Sequence, residues 1–196
     1  MTSSYSLPHH GPAAPHDPSD LYAYPPPWDI GRPQPAFAAL AEAGAIRGRV
    51  LDASCGTGEH VLMCAALGLD VTGVDLSASA LRAAQAKARD RGLTARFLRQ
   101  DARHLADLGE RFGTVLDCGL FHVFTDPDRR LYEASLRAAL EPGGRYFMLC
   151  FSEHEPAGWA VDRVPLVPRR AHQLRRQDAR HPEQQFGVLV GQHVLV

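Results

Sequence analysis

Asp52 ends an apolar run, Val50-Leu51-Asp52, and is followed by the small residues Ala53-Ser54-Cys55-Gly56-Thr57-Gly58 before Glu59-His60 open a helical stretch. Glycines at 56 and 58 let the backbone approach a ligand closely and adopt positive φ. A helix starting near Glu59 aims its free N–H groups into the same space. A turn of this kind holds nucleotide-type ligands, and the acid before it selects among them: a carboxylate there favours a ligand with a positive end and repels a pyrophosphate. Two further acids stand in the same relation to apolar runs. Asp75 closes Val71-Thr72-Gly73-Val74-Asp75, and Asp101 closes Ala95-Arg96-Phe97-Leu98-Arg99-Gln100-Asp101. In open α/β sheets ligands bind beyond the carboxyl ends of strands, so Asp75 suits ribose hydroxyls and Asp101 an adenine exocyclic amine.

Plainer readings exist for each residue. The glycines could make a tight strand-to-helix turn and nothing more, Asp75 could be an acid that a helix N-terminus favours, and acids are common at solvated strand ends. Three acids at three successive strand ends make the plain reading the weaker one. A dinucleotide site is disfavoured separately, because its G-x-G-x-x-G pattern is broken by Val61 and its phosphates would face Asp52.

These residues need a sheet with helical connections to bring them together. Strands are expected at roughly 49–53, 70–75, 95–99, 112–117 and 144–151, with helices near 36–43, 59–67, 79–91 and 128–140. The alternation predicts a Rossmann-like, doubly wound α/β fold, its sheet mostly parallel with helices on both faces. Ser77 and Ser79 offer N-caps to a helix that carries Leu81, Ala84 and Ala88 on one face and stops before Gly92. Asp126-Pro127 offers a cap and first-turn proline to a helix expected to bury Leu131, Leu136 and Leu140.

The runs Val50 to Gly58, Val71 to Asp75, Gln100-Asp101, Phe112 to Asp117 and Leu140-Glu141-Pro142-Gly143-Gly144 together resemble class I S-adenosylmethionine-dependent methyltransferases, over roughly residues 28 to 152. The family's D-x-G-x-G-x-G loop falls on Asp52, Ser54, Gly56 and Gly58, so Ser54 replaces its first glycine. The segments Pro27 to Pro35 and Asp117 to Phe124 are similar to the thiopurine-methyltransferase-like branch and to actinobacterial small-molecule methyltransferases. The resemblance implies S-adenosylmethionine as cofactor, its ammonium and sulfonium meeting Asp52. It implies cofactor contacts at Trp28, Asp52, Ser54, Cys55, Gly56, Gly58, Asp75, Leu76, Asp101, Ala102 and Asp117. The reaction implied is methyl transfer to O, S or N of a small aromatic or heterocyclic acceptor. His122, a few residues past the fourth strand, is the candidate catalytic base, with packing beside the cofactor as its plainer role. Trp28, Tyr24, Phe121 and Phe124 would line a flat acceptor, or the two phenylalanines would be core residues.

At 196 residues and 45% hydrophobic the chain can bury one core, and a formal net charge of −1 gives no global field for nucleic acid. Cys55, Cys64, Cys118 and Cys150 show no C-x-x-C pairing, no metal site is expected, and no apolar run is long enough for a membrane span. A soluble cytoplasmic monomer acting on a small molecule, with neither nucleic acid nor membrane as partner, is the expectation. Residues 1–20, rich in Pro and His, read as a disordered tail, and 21–154 as the cofactor-binding domain, with aromatic residues from Leu21 on folding over it. Residues 155–196 are arginine-rich and atypical, which raises a degenerate C-terminus. A hairpin about Gly191-Gln192 is the one element legible there. A non-catalytic binding module with a lost acceptor pocket and, further off, a nucleotide-dependent oxidoreductase are the competing functions.

Overall fold

A computed structural model describes residues 22, 24, 26 and 28–149, and the backbone of 191–194. Helix α1 (Pro35–Glu42) is followed by strand β1 (Val50–Asp52), α2 (Glu59–Ala66), β2 (Val71–Asp75), α3 (Ala78–Asp90), β3 (Arg96–Arg99), β4 (Phe112–Cys118), α4 (Asp126–Ala139), β5 (Leu140–Leu149) and β6 (Gly191–Val194). Short 3-10 segments precede β4 (Ala102–Leu108) and follow it (Phe121–Val123). The strands form one sheet in the order β3-β2-β1-β4-β5-β6. All neighbours are parallel except β6, which runs antiparallel to β5.

The order of connection reverses between β1 and β4, and this opens a crevice at their carboxyl ends, where doubly wound sheets bind ligands. Two apolar layers hold the sheet rigid beneath it. One face packs Leu51, Val74, Val115, Tyr132 and Leu136, the other Val50, Val61, Val71, Leu116 and Phe147. The buried strands read as apolar runs because helices cover both faces.

Several details correct the sequence reading. The helix before β5 starts at Asp126, and its cap is Thr125, whose Oγ1 accepts from the Asp128 backbone N–H; Asp126 is already helical. Leu131 is 51% exposed, because it lies off the stripe of helical spacing on which Tyr132, Ser135, Leu136 and Ala139 form the buried face. Strand β5 begins at Leu140, four residues early, because Leu140 pairs with Phe112 across an irregularity before the ladder resumes at Thr114 and Arg145. Gly191 and Gln192 lie inside β6, opposite Met148 and Phe147, so no hairpin turns there. The expectations for 1–20 and for 150–190 lie outside the described residues, as does Cys150. Among the described residues no helix is long and apolar enough to cross a membrane, and no cluster of three or more His, Cys, Asp or Glu could hold a metal.

Candidate functional site

The loop after β1 is fixed by its neighbours on β2 and β4. Ala53 N–H donates to Leu116 O (2.9 Å), Cys55 N–H to Val74 O (2.9 Å) and Gly56 N–H to Asp75 Oδ2 (2.8 Å). Gly56 and Gly58 sit at φ +50° and +91°, and a Cβ at Gly56 would stand 2.8 Å from the Tyr22 hydroxyl. Gly58 then caps α2. Asp52, Ser54, Cys55, Gly56, Gly58 and Asp75 are thereby brought around one cradle.

Asp52 is fully buried, and its Oδ2 has no hydrogen-bond partner; the nearest cationic candidate, His60 Nδ1, stands at 3.6 Å, outside bonding reach. Its Oδ1 takes only a long bond, 3.4 Å, from Ser54 N–H. A buried acceptor left unmade costs roughly 1–3 kcal/mol, more when charged. Asp75 beside it raises the cost: burial pushes the Asp75 carboxyl up, N–H donors from Ser77 and Gly56 oppose this, and Asp52 pushes it up further. Two acids sharing a dry crevice fit a ligand that brings a positive charge to Asp52 and hydroxyl donors to Asp75. The Ser54 Oγ is also buried without a partner, so the residue that departs from the glycine pattern offers a hydroxyl to the same space. Burial, ahead of the charges of Asp52 and Asp75, pushes the Cys55 thiol well up, which makes it a filler of the turn and not a thiolate.

Other expected site residues are placed differently. Asp101 caps the following 3-10 segment and is held by Arg103, whose Nη2 lies 2.6 Å from Oδ2, while Arg103 Nη1 reaches Asp128 at 2.7 Å. That guanidinium, against the opposing effect of burial, holds the Asp101 carboxyl below its usual range and occupies the oxygens expected to meet an adenine amine. Ala102 is buried behind it, and Leu76 is exposed beside Asp75. Asp117 turns into the core: Oδ2 accepts from the hydroxyls of Tyr132 (2.9 Å) and Tyr146 (2.7 Å), and Oδ1 from Leu120 N–H (2.9 Å). Its geometry is that of an anchor for the loop carrying His122. Phe121 and Phe124 pack on Tyr132, at ring separations of 6.4 and 5.2 Å, as part of the core or against it. Tyr24 is almost wholly exposed and Trp28 is 48% exposed.

His122 does not titrate near neutrality as expected. Burial, and secondarily the charge of Arg129, lowers it from 6.5 to about 4. The imidazole is therefore neutral at pH 7, and the unfolded chain binds the proton more readily than the folded one. Stability linked to this group is complete above pH 6.5 and is lost as pH falls toward 4, by at most about 3 kcal/mol. The expected result is that His122→Gln narrows the drop in melting temperature between pH 7 and pH 5; an unchanged drop would place the acid sensitivity elsewhere.

Of the described residues before α1, Tyr22, Asp29 and Gln34 reach the loop after β1 or the start of α2, and the sequence singled out neither polar one. Asp29 accepts from Thr57 Oγ1 (2.7 Å), and Gln34 N–H donates to His60 Nε2 (3.1 Å). Tyr22 stands over Gly56; burial, then the charge of Asp75, pushes its phenol upward. Glu59, at the start of α2, is clasped by Lys87 (2.8 Å) of α3 and by Arg91 (3.0 Å), the residue that caps α3. Their spacing in sequence carried no signal, since each pair joins separate elements.

A doubly wound sheet with an acid-and-glycine loop at its switch point defines a Rossmann-like protein built for a nucleoside ligand with a cationic tail. The comparisons say which. A family profile described as "Methyltransferase domain" matches residues 50–144. The 2-heptyl-1-hydroxyquinolin-4(1H)-one methyltransferase of Mycobacteroides abscessus is 38% identical over 129 residues, 65% of this chain and 57% of that protein. An uncharacterized methyltransferase of Schizosaccharomyces pombe is 32% identical over 114 residues, 58% of this chain and 79% of the relative. Among solved structures, one from work on "Conversion of a Disulfide Bond into a Thioacetal Group during Echinomycin Biosynthesis" is 51% identical at a TM-score of 0.63, covering 65% of this chain and 55% of that one. The glycopeptide N-methyltransferase MtfA in complex with S-adenosyl-L-homocysteine is 33% identical at a TM-score of 0.51, covering 60% and 52%. The chain belongs to the class I S-adenosylmethionine-dependent methyltransferases, and S-adenosylmethionine is the cofactor its site fits. It spans a little over half the length of the hydroxyquinolone enzyme.

Proposed function

We infer that this protein methylates a small aromatic or heterocyclic acceptor on an oxygen, sulfur or nitrogen that ionises readily or carries a free lone pair. The observation that carries the inference is the buried, partnerless Asp52 Oδ2 beside Gly56 and Gly58, with Asp75 closing the far side of the loop. When bound, S-adenosylmethionine supplies a sulfonium methyl, and the acceptor's lone pair takes that carbon while the sulfur keeps the bonding pair. Asp52 and Ser54 hold the amino-acid end, and Asp75 accepts from the ribose. Leu76 and Ala102 would border the adenosine side, and Tyr22, which stands against Gly56, would cover the loop. Alignment of this kind contributes roughly 7–11 kcal/mol.

His122 narrows the acceptor. An imidazole lowered to about 4 is a weak base, and a proton moved to it from a phenol near pKa 10 costs about 8 kcal/mol. An acceptor that ionises by itself avoids that step. The M. abscessus relative acts, by its name, on a hydroxyquinolone, and a relative from Arabidopsis thaliana is named "Probable thiol methyltransferase 2", which agrees with acidic O–H and S–H acceptors.

Calorimetric titration with S-adenosylhomocysteine and with NADH separates the cofactor classes, and binding of NADH alone would overturn the reading. Turnover is then measured at one pH on phenols and thiols of graded acidity. Rates should follow the ionised fraction, and His122→Ala should cost about the same factor throughout. A loss of roughly 10²–10⁴ confined to protonated phenols would make His122 the base after all. Firm cofactor binding with no turnover on any such acceptor would favour a binding module.

A further inference from the structure

His60 lies between the cofactor acid and the segment covering the cradle, 3.6 Å from Asp52 on one side and hydrogen-bonded to Gln34 on the other. It lies in the first turn of α2, is 8% exposed, and packs edge-on against Phe37 of α1 at 4.7 Å. Its two nitrogens face opposite ways. Nε2 accepts from the Gln34 backbone N–H at 3.1 Å, so that nitrogen carries the lone pair and a neutral ring has its proton on Nδ1, directed at Asp52 Oδ2 at 3.6 Å. Gln34 is the residue on which the covering segment hangs. Its side-chain Nε2 donates to Trp28 O (3.0 Å), and its carbonyl accepts from the Phe37 and Ala38 N–H groups in the first turn of α1 (both 3.0 Å).

We propose that His60 is a positioning residue that ties closure over the cofactor to the charge on Asp52, so that protonation of its ring both opens the cover and weakens cofactor binding. A proton on Nε2 would face the Gln34 N–H donor to donor, and the pair must separate. The imidazolium so formed would pair with Asp52 and cancel the charge that the cofactor's ammonium requires. Both consequences act in the same direction, toward an open, weakly binding site at low pH.

Among the described residues, the groups around the ring are committed elsewhere. Asp52 comes from β1; the Cys64 thiol, one turn on along α2, is pushed up to about 12 by burial first and Asp52 second. Glu59 beside it is committed to Lys87 and Arg91, and Asp29 of the covering segment to Thr57. Asp75 from β2 is held by the Gly56 and Ser77 N–H groups, and the Cys118 thiol from β4 is pushed up by burial first and then by the charges of Asp52 and Asp117.

The proposal rests on the cofactor reading above, and its test keeps the two apart. In the full chain without cofactor, 15N spectra of the imidazole should show the proton on Nδ1 at pH 8, and hydrogen exchange at the Gln34 amide should quicken as pH falls to 5.5. Affinity for S-adenosylhomocysteine should weaken at least fivefold over the same range. His60→Gln, whose Oε1 can accept from Gln34, should flatten most of that slope and keep the amide protected; the remainder belongs to Asp75. His60→Asn, which keeps a donor near Asp52, should lose the protection. A proton found on Nε2, or an amide whose exchange ignores pH, would overturn the proposal with no variant needed. An unaltered slope in His60→Gln would do so as well. Absence of S-adenosylhomocysteine binding at every pH would instead remove the cofactor reading and leave the spectroscopic arms to decide His60.

Discussion

Gly58→Ala should lower the melting temperature by roughly 5–20 °C and abolish measurable S-adenosylhomocysteine binding. Two independent costs meet at this position. The backbone holds φ +91°, which an L side chain adopts only at a cost of about 1–3 kcal/mol. The added Cβ would also stand 2.7 Å from the Ala84 Cβ and 3.3 Å from Phe97 Cε1. Ala84 is fully buried on α3, so its Cβ has no free rotation with which to move away, and forced overpacking costs about 1–3 kcal/mol. At this chain length each kcal/mol is worth roughly 2–4 °C. Adding Ala84→Gly to the variant removes the shortest contact and leaves the backbone strain, so the double variant should recover part of the stability and little of the binding. Thermal scans of the single and double variants check this. A Gly58→Ala protein that melts with the wild type would mean that α3 can move away from the loop without cost, and the cradle would not be the rigid element described.

The parts of the molecule that were legible in the sequence are those where backbone chemistry and side-chain chemistry coincide. The run Val50 to Gly58 fixes a strand, a left-handed turn and a helix start within nine residues, and the structure places each where that order requires. Asp75 was legible for the same reason, because a strand end dictates where its side chain emerges. Asp101 and Asp117 follow the same rule of position and yet are claimed by Arg103 and by Tyr132 and Tyr146. Those partners come from other elements, and a pattern along one strand carries no information about them. Leu131 was misplaced by a smaller effect. Leu131 stands five residues before Leu136, off the three-and-four spacing that puts Tyr132, Ser135, Leu136 and Ala139 on one face. His60 was hidden in the opposite sense: its role depends on a backbone N–H of Gln34, a donor every residue but proline carries and no sequence motif can mark.

Asp75→Ala should weaken S-adenosylhomocysteine by roughly 10–150-fold, and it should weaken adenosine by nearly the same factor. The carboxylate now accepts from Gly56 N–H through Oδ2 and from Ser77 N–H through Oδ1, each at 2.8 Å, and both oxygens keep lone pairs for the ribose hydroxyls. Charge-assisted bonds of this kind are worth about 1.5–3 kcal/mol, which converts to the stated range. Removal of the side chain also strands the two N–H donors, so a loss of stability of about 1–3 kcal/mol should accompany the loss of affinity. Asp75→Asn separates the two: its one carbonyl oxygen can serve Gly56 or Ser77 but not both, and its amide replaces the charge, so affinity should fall with a smaller change in melting temperature. Asp52→Asn is the contrasting variant. It would remove the charge proposed to face the ammonium group, and it should weaken the homocysteine-bearing ligand while leaving adenosine nearly as before. The comparison of two ligands across the Asp75 and Asp52 variants therefore maps the direction of the cofactor in the crevice. If Asp75→Ala spares adenosine, or if Asp52→Asn harms both ligands alike, the cofactor does not lie with its ribose on β2 and its charged tail on β1.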